Sequence, residues 1–487
     1  MGRAENRGPF LDHLGGPGPG CVFFAQVEIG IHEIESTRLE SLDLKHQKVL
    51  VLGLGRSGQS AANFCAQRGA QVCAADERAD LGTNLSLSED IEVRLGQAFP
   101  DPADFDLVVP SPGVPPERYR ASARRVWGDI ELAGRALPVP IIAVTGTNGK
   151  STTVMLIEAM LKACGLRARA AGNLGNPALD LLGEPLDVAI LEVSSFQLET
   201  VESFRPHVAV VLNLSPDHMD RHGDLENYAA AKRKLVEQQE PSDIAVLNED
   251  DVQVRQFAAH TRARILPFSR HAESPSQASS GRIWLDLGQA VLSEDGKQTR
   301  LSLTPADSLG ETHRDNVLAA LAAVWAFGAD PVRALDGLID FKLLPHRSEH
   351  IATHKGVRFI NDSKATNPGA AQRALESTRS PLLWIAGGRD KGLSYRSLAE
   401  AAQGRVRTAL LIGEAAQKIE SELHGSVPCL RMENLEEAVL RAAALAQEGD
   451  VVLLAPACAS FDQFKNFETR GDCFRDAVLQ MTEGNPE

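Results

Sequence analysis

The stretch TGTNGKS, residues 145–151, follows the apolar run PIIAV at 140–144 and precedes a helix-like stretch at 152–164. A strand, a glycine-rich turn and a helix start form a phosphate cradle, because backbone N–H groups and the positive end of the helix dipole face the anion. Lys150 would reach the terminal phosphates, and the Ser151 hydroxyl would bind magnesium. The stretch therefore predicts a nucleoside triphosphate site.

The glycine spacing of this loop departs from the widespread pattern GxxxxGK[ST]. That pattern requires glycine at the position where this chain has Val144, so the loop is a shortened variant. The alternative is a glycine turn that merely joins a strand to a helix. That alternative leaves Lys150 without an explanation.

Short apolar runs alternate with helical patterns along the rest of the chain. They lie at residues 49–52, 107–109, 141–144, 188–191, 208–212, 382–386, 409–412 and 451–455. Runs of this length, rich in Val, Ile and Leu, indicate α/β units with largely parallel sheets. The Ser-rich piece at 269–281 and the alternating runs around 283–292 predict a loop and a small antiparallel insert.

Proline interrupts the pattern near residues 136–140 and 343–345. The breaks predict three domains behind an N-terminal extension. The predicted segments are a disordered extension at 1–45 and domains at 46–137, 138–343 and 344–487. Residues 8–20 are mostly Gly and Pro, which is why the extension is predicted to lie outside the fold. A start codon assigned too far upstream would explain the same stretch.

The composition excludes several classes of protein. A net charge of -15, from 65 acidic and 50 basic side chains, argues against a nucleic-acid partner. Seven cysteines, without a CxxC pair, indicate neither a disulfide framework nor a zinc site, and they favour reducing cytoplasm. No apolar stretch approaches the roughly 18 residues of a membrane span.

The first domain opens with GLGRSG at residues 53–58, and Asp76 lies at the end of the next apolar run. This pattern is typical of a tight turn against a pyrophosphate with a carboxylate for ribose hydroxyls. It predicts a nucleotide that carries a diphosphate, and a UDP-sugar fits as well as NAD does. The alternative is that the glycines only let helix and strand pack closely. Ser111, after a later strand, is a candidate second contact.

Two candidate metal ligands follow strands of the middle domain. Glu192 ends the run at 188–191, and His218 comes shortly after the run at 208–212. The carboxyl ends of parallel strands meet at one edge of a sheet, so both side chains are expected to face the cradle.

A set of motifs resembles the Mur ligase family. The motifs are GTNGKST (146–152), EVSSFQLE (192–199), SPDHMDRHG (215–223), AAAKRKL (229–235), PHRSE (345–349), NDSKATNP (361–368), GGRDKG (387–392) and PACASFDQFKNFETRGD (456–472). SSFQLE, SKATN and ACASFDQFKNF resemble the member that adds D-glutamate. The resemblance implies an N-terminal Rossmann-like domain that binds UDP-sugar, a central P-loop ATPase domain and a C-terminal Rossmann-like domain.

The resemblance also implies the chemistry. It implies a cytoplasmic enzyme of peptidoglycan-precursor synthesis, expected to be a monomer, in which ATP and two Mg²⁺ ions serve to join D-glutamate to UDP-MurNAc-L-Ala. ADP and phosphate would be the other products, formed through an acyl-phosphate and a tetrahedral intermediate.

The resemblance implies a role for each residue of this chain that matches a functional position of the family. The UDP-sugar contacts would be Arg56, Ser57, Asp76, Arg78, Ser111 and Asn173. The ATP contacts would be Gly146, Thr147, Asn148, Gly149, Lys150, Ser151, Thr152, Asn316, Arg347 and Asp362. The metal ligands would be Ser151, Glu192, His218 and a carbamylated Lys232. The D-glutamate contacts would be Thr366, Lys391, Ser460 and Phe467. The catalytic residues would be Lys150, His218, Lys232 and Lys364.

One position departs from the family pattern. The family usually has His-Asn where this chain has Thr312-His313, which puts an adenine contact from that position in question.

Two other classes of protein would use some of these motifs. A NAD-dependent oxidoreductase would use GLGRSG but not GTNGKS, Glu192 and His218. A P-loop regulator or transporter subunit would use GTNGKS but not NDSKATN and ACASFDQF. Among ligases, the alternative is one that adds a different residue, such as a diamino acid.

Overall fold

Three separate β-sheets, each accompanied by helices, build the molecule. The computed structural model describes residues 42–81, 85–272 and 281–483. Each sheet falls in one of the three predicted domain intervals. The α/β class with three domains is therefore confirmed, while the exact domain boundaries stay predictions.

The N-terminal sheet has four parallel strands. They are β1 (Lys48–Leu52), β2 (Gln71–Asp76), β3 (Glu92–Leu95) and β4 (Leu107–Pro110). Their order is β3-β2-β1-β4. The helices of this part are α1 (Arg56–Gln67) and α2 (Asp129–Ala136). Strands β1 and β4 are almost wholly apolar because both of their faces are covered.

The central sheet has nine strands. They are β5 (Ile141–Thr145), β6 (Ala168–Gly172), β7 (Val188–Glu192), β8 (Val208–Val211), β9 (Ile244–Asn248), β10 (Arg264–Ser269), β11 (Gly281–Asp286), β12 (Gln289–Glu294) and β13 (Lys297–Ser302). Their order is β13-β12-β11-β10-β9-β8-β5-β7-β6. Strands β5 to β11 pair in parallel, and β11, β12 and β13 pair antiparallel. The predicted antiparallel insert is thus confirmed, while residues 273–280 of the predicted loop lie outside the described residues.

Seven helices belong to this middle part. They are α3 (Lys150–Ala163), α4 (Ser195–Leu198), α5 (Met219–His222), α6 (Leu225–Glu237), α7 (Val252–Arg255), α8 (Arg314–Ala326) and α9 (Pro331–Ala334). Helix α8 is buried over almost its whole length, which explains its nearly continuous run of Ala, Leu and Val.

The C-terminal sheet has six strands. They are β14 (Glu349–His354), β15 (Val357–Asn361), β16 (Leu382–Gly387), β17 (Val406–Ile412), β18 (Cys429–Arg431) and β19 (Val451–Leu454), in the order β14-β15-β19-β16-β17-β18. Only β14 runs antiparallel to its neighbour among these described strands. The helices are α10 (Pro368–Ser377), α11 (Ser397–Ala402), α12 (Ala416–Glu422), α13 (Leu435–Leu445) and α14 (Phe467–Glu483).

The N-terminal and central sheets share one apolar cluster. It extends from Val49 and Val109 of the first sheet to Ala143 and Val211 of the second. Continuous burial of this kind fixes how two layers sit against each other. The cradle after β5 and the glycine turn after β1 are therefore held on one common core.

The N-terminal boundary differs from the sequence-based prediction. Leu42 and Leu44 belong to the predicted extension at 1–45, yet both are buried in the cluster shared with Val49. Residues 42–44 form neither a helix nor a strand. The two leucines nevertheless point into the core, while Asp43 between them is exposed. The predicted disorder of residues 1–41 lies outside the described residues.

In the part of the chain that the structure describes, no helix is long and apolar enough to cross a bilayer.

A truncation series tests the boundary. A chain that begins at residue 46 lacks both buried leucines, and each lost leucine of this kind costs about 2 to 5 kcal/mol. We expect its melting temperature to lie about 5 °C or more below that of a chain beginning at Leu42, measured by differential scanning calorimetry. Equal melting temperatures of the two truncated chains would show that these leucines contribute nothing to stability.

Candidate active site

The turn between β5 and α3 has the geometry of a phosphate cradle. Gly149 caps the helix with a φ of 86°, a left-handed value that favours glycine. A Cβ at this position would lie 2.3 Å from Asn316 Oδ1, so a side chain does not fit. The first turn of the 14-residue helix α3 contains no acidic residue. Its backbone N–H groups and dipole are thus available to an anion.

Two lysines, the buried Lys232 and the partly buried Lys150, converge on the same carbonyl of this turn. Lys150 Nζ donates to Gly146 O at 2.8 Å and to Thr147 O at 3.0 Å, and Lys232 Nζ donates to Gly146 O at 2.9 Å. Burial lowers the pKa of both ammonium groups, and the charge of Lys150 lowers that of Lys232 further. Glu192 and Asp217 act in the opposite direction.

Glu192, at the end of β7, has one carboxylate oxygen satisfied and one free. Its Oε1 accepts from Asn173 Nδ2 at 2.8 Å. Its Oε2 is buried and has no hydrogen-bond partner among the described residues. A buried oxygen without a partner is costly, and its usual explanation is a ligand or ion. This oxygen therefore fits the predicted contact to magnesium.

His218 follows β8 in a left-handed conformation, with a φ of 56°. The ring of Phe196 lies edge-on to its imidazole at a centroid distance of 4.8 Å. Burial lowers the pKa of His218 to about 4, so the imidazole is neutral at physiological pH. A neutral imidazole keeps a nitrogen lone pair for a metal.

The four predicted metal ligands do not form a closed cage. Within residues 42–81, 85–272 and 281–483, no group of three or more His, Cys, Asp or Glu is placed to hold an ion. The Ser151 hydroxyl accepts from Arg347 Nη2 at 2.6 Å, and Lys232 reaches Gly146 O as an amine. Magnesium is commonly held by one or two carboxylates together with substrate phosphates, which such an open set suits.

All six predicted UDP-sugar residues line one cleft of about 600 Å³. The cleft lies where the turn after β1 and the ends of β2 and β4 meet the central domain. Asn173 comes from the loop after β6, so the walls belong to two domains. The volume is in the range of small-molecule sites.

Asp76 is held by the protein itself. Its Oδ2 accepts from Leu54 N and from Arg78 Nη2, each at 2.8 Å. Hydrogen bonding to Arg78 lowers the pKa of Asp76 to about 2. The carboxylate thus fixes the glycine turn and aims Arg78, and any contact to a ribose hydroxyl would add to these bonds.

Residues of the C-terminal domain reach the central domain around the cradle. Asn367 Nδ2 lies 3.2 Å from Asn148 Oδ1 and 3.0 Å from Asp217 Oδ2. Lys391 Nζ lies 3.4 Å from Asp217 Oδ1. Together with the bond between Arg347 and Ser151, these contacts place the third domain over the cradle.

A buried arginine joins the two loops that carry Thr366 and Ser460, while the other two predicted glutamate residues, Lys391 and Phe467, lie after β16 and at the start of α14. Arg470 Nη2 donates to Ser363 O at 2.8 Å, and its Nη1 donates to Cys458 O at 3.1 Å. These bonds tie the loop of Lys364 and Thr366 to the loop of Ser460.

The aromatic ring of Phe467 forms a cation–π contact with Lys364. The ammonium group of Lys364 lies 3.8 Å from the ring centroid of Phe467. Burial, with a smaller contribution from Arg347, lowers the pKa of Lys364 to about 8. Asp362, two residues earlier, accepts from Ser348 N, and burial raises its pKa to about 6.

His313 and Asn316 stand beside the cradle at the start of α8. Asn316 Nδ2 and His313 Nδ1 are 3.2 Å apart, and burial lowers the pKa of His313 to about 4. The unusual histidine is therefore neutral and packed against the predicted ATP residue.

Three interacting residues were not predicted as site residues. Asp217 and Asn367 connect two domains, and Asn213 clamps the cradle by accepting from Asn148 N at 2.9 Å and donating to Asn148 O at 3.1 Å. Their positions in the sequence could have identified them. Asn213 follows β8, and Asp217 and Asn367 belong to motifs already singled out.

Family models match most of the chain. One described as Mur ligase MurD-like, N-terminal domain matches residues 47–126. One described as Mur ligase middle domain matches residues 144–324, and one described as Mur ligase, glutamate ligase domain matches residues 346–458.

Solved structures show the same fold. A pseudomurein peptide ligase type C from Methanothermus fervidus aligns with a TM-score of 0.58 at 19% identity, over 90% of this chain and 100% of that one. The MurF ligase from Thermotoga maritima in complex with ADP aligns with a TM-score of 0.55 at 18% identity, over 91% and 97%.

Proteins that are similar in sequence point to one branch of this family. A protein of Geobacter metallireducens is 42% identical over 456 residues, which cover 91% of this chain and 99% of that one. A protein of Geotalea daltonii is 40% identical over 456 residues, covering 91% and 100%. Both are named UDP-N-acetylmuramoylalanine--D-glutamate ligase. The chain therefore belongs to the Mur ligase family, in the branch of the UDP-N-acetylmuramoylalanine--D-glutamate ligases.

Proposed function

We propose that this chain joins D-glutamate to UDP-N-acetylmuramoyl-L-alanine at the expense of ATP, releasing ADP and phosphate. The observation that carries the proposal is the bond between Asn173 and Glu192. Asn173 lines the cleft assigned to the UDP-sugar, and Glu192 carries the unpaired oxygen of the predicted metal site. One hydrogen bond of 2.8 Å thus connects the cleft assigned to the UDP-sugar with the predicted metal ligand.

The ATP phosphates are assigned to the cradle after β5. Lys150 Nζ would exchange the carbonyls of Gly146 and Thr147 for phosphate oxygens, and the helix dipole of α3 would add to its charge. Arg347, which already reaches Ser151, would bring further positive charge from the C-terminal domain. Charge compensation of this kind is the main contribution of a protein to phosphoryl transfer.

Magnesium is assigned to Ser151 and Glu192 at one site and to His218 and modified Lys232 at a second. The buried, unpaired Oε2 of Glu192 fits a hard cation. Bound magnesium offsets charge on the phosphate oxygens.

The reaction would proceed in two steps. An oxygen of the alanyl carboxylate bonds to the γ-phosphorus while the bond to the bridging oxygen of ADP breaks. The glutamate amine then bonds to the carbonyl carbon, which gives a tetrahedral intermediate, and phosphate and a proton leave. Holding the reactants in place supplies much of the rate enhancement in such reactions.

Glutamate is assigned to Thr366, Lys391, Ser460 and Phe467 of the C-terminal domain. Lys391 can pair with a substrate carboxylate, and the two hydroxyls offer hydrogen bonds. Lys391 already lies 3.4 Å from Asp217, so a substrate carboxylate would share or replace that partner.

The function is tested by the dependence of phosphate release on the amino acid. With ATP and UDP-N-acetylmuramoyl-L-alanine saturating, we expect D-glutamate to start phosphate release, while L-lysine and diaminopimelate do not. Lys391→Ala should raise the KM for D-glutamate about tenfold or more, because a charge-assisted bond is lost, and leave that for the UDP substrate nearly unchanged.

Lys418→Ala is the matched control. Lys418 Nζ lies 3.0 Å from Asp390, the residue that precedes Lys391 in the sequence, and this ion pair stays within the C-terminal domain. Its KM for D-glutamate should stay near the wild-type value. Phosphate release that starts with a diamino acid, or an equal loss for both substrates in Lys391→Ala, would contradict the assignment.

Lys232 is proposed to be carbamylated in the active enzyme. It is 1% exposed, and its lowered pKa gives a larger fraction of the neutral amine that reacts with carbon dioxide. The nitrogen of the neutral amine bonds to the carbon of carbon dioxide and one proton leaves, which gives an anion. Counted from the ammonium form, two protons leave and a cation becomes an anion. The two new oxygens are of the type that magnesium prefers.

Chemical rescue tests the modification. Lys232→Ala should lose about 100-fold or more in turnover, because a metal ligand is removed, and acetate or formate should restore part of it. Arg233→Ala, on the same helix and paired with Glu237 at 2.7 Å, is the control and should stay near wild type. Full activity of unrescued Lys232→Ala would refute a required carbamate.

A further inference from the structure

A second cavity, of about 400 Å³, lies between the N-terminal domain and helix α6. Pro116 and Arg120 form one wall, and Ala231 and Lys234 of α6 form another. It is separate from the UDP-sugar cleft, because the chain at residues 112–116 runs between the two. No step of the proposed reaction uses it.

Two cations from different domains converge in this cavity on one uncharged oxygen. Arg120 Nη2 donates to Glu199 O at 3.0 Å, and Lys234 Nζ donates to the same oxygen at 3.2 Å. Like charges held this close repel each other. A single carbonyl oxygen does not neutralise either of them.

Three carboxylates line this cavity, Glu117, Glu199 and Glu237, and two of them are already in ion pairs. Glu199 forms an ion pair with Arg221 at 2.6 Å, and Glu237 forms one with Arg233 at 2.7 Å. In the described parts of the chain, neither Arg120 nor Lys234 has a carboxylate at ion-pair distance. Burial lowers the pKa of Lys234 and nearby Arg120 lowers it further, while Glu237 and Glu199 act in the opposite direction.

This arrangement is unusual for a chain with a net charge of -15. Acidic groups are abundant and three of them line the cavity, yet among the described residues none forms an ion pair with either of the two converging cations. The cavity also has room for more than a single ion, since small-molecule sites begin at roughly 300 Å³.

We propose that this cavity binds a small ligand with a doubly charged oxyanion group, a phosphate or a dicarboxylate, held between Arg120 and Lys234. Bidentate contact from the guanidinium and a point contact from the ammonium suit such a group. The ligand would bridge the N-terminal domain to helix α6. The site does not depend on the proposed reaction.

An anion bound in this cavity would affect the UDP-sugar cleft through Arg221. This residue lines the cavity, and its Nη1 donates to Pro112 O at 3.3 Å, in the wall of that cleft. The anion would thus restrain the segment that separates the two cavities. We expect it to stabilise the contact between the two domains.

Thermal unfolding of the full chain tests the site. The protein is saturated with ADP so that the cradle is filled, and potassium chloride keeps the ionic strength constant. Inorganic phosphate at about 10 mM should raise the melting temperature of wild type by about 2 °C or more. Malonate is the second probe, and a larger shift with one of the two identifies the preferred class of oxyanion.

Paired variants locate the effect. Arg120→Ser/Lys234→Gln should lose at least half of the shift, whereas Arg120→Lys/Lys234→Arg, which keeps both charges, should retain it. Arg124→Ser/Lys162→Gln removes two cations that lie outside the cavity and should also retain it. The proposal is overturned if wild type shows no shift with either probe, or if the Ser/Gln variant shows the full shift.

Discussion

The carbonyl oxygen of Gly146 accepts hydrogen bonds from two lysines, the buried Lys232 and the partly buried Lys150, and the candidate active site depends on this contact. Lys150 approaches it from the start of α3, and Lys232 approaches it from α6. Two ammonium groups this close together repel each other, so both stay charged only where negative charge is near. Glu192 and Asp217 supply part of that charge. A nucleotide phosphate and a carbamate on Lys232 would supply further negative charge. The ATP site and the carbamate are therefore proposed for the same electrostatic reason.

The domains are joined at the cradle by side chains that bind more than one partner. Asp217 contacts both Asn367 and Lys391, and Arg347 crosses from the C-terminal domain to Ser151. On the other side, Glu192 connects through Asn173 to the cleft of the N-terminal domain. Each of these contacts must adjust when substrates enter, because the same atoms are assigned to substrate groups. On the proposed assignment, substrate binding would therefore rearrange the contacts between domains and complete the site together.

Local patterns were readable from the sequence, and long-range contacts were not. The cradle and the strands that lead to it depend on neighbouring residues, so TGTNGKS and the apolar runs predicted them correctly. Resemblance to a family placed Asn173 with Arg56, and both line one cleft. The burial of Leu42, the pair of Asp217 and Lys391, and the two cations on Glu199 O join residues far apart in the chain. Neither periodicity nor motif spacing contains that information.

The transfer of oxygen from substrate to phosphate tests most directly whether the carboxylate is activated where cleft and cradle meet. UDP-N-acetylmuramoyl-L-alanine labelled with ¹⁸O in the alanyl carboxylate is converted with ATP and D-glutamate, and the released phosphate is analysed by mass spectrometry. Because the bond between the carbonyl carbon and the phosphorylated oxygen breaks in the second step, each phosphate should carry one labelled oxygen. Unlabelled phosphate, with all label in the product or in water, would contradict phosphorylation of the carboxylate.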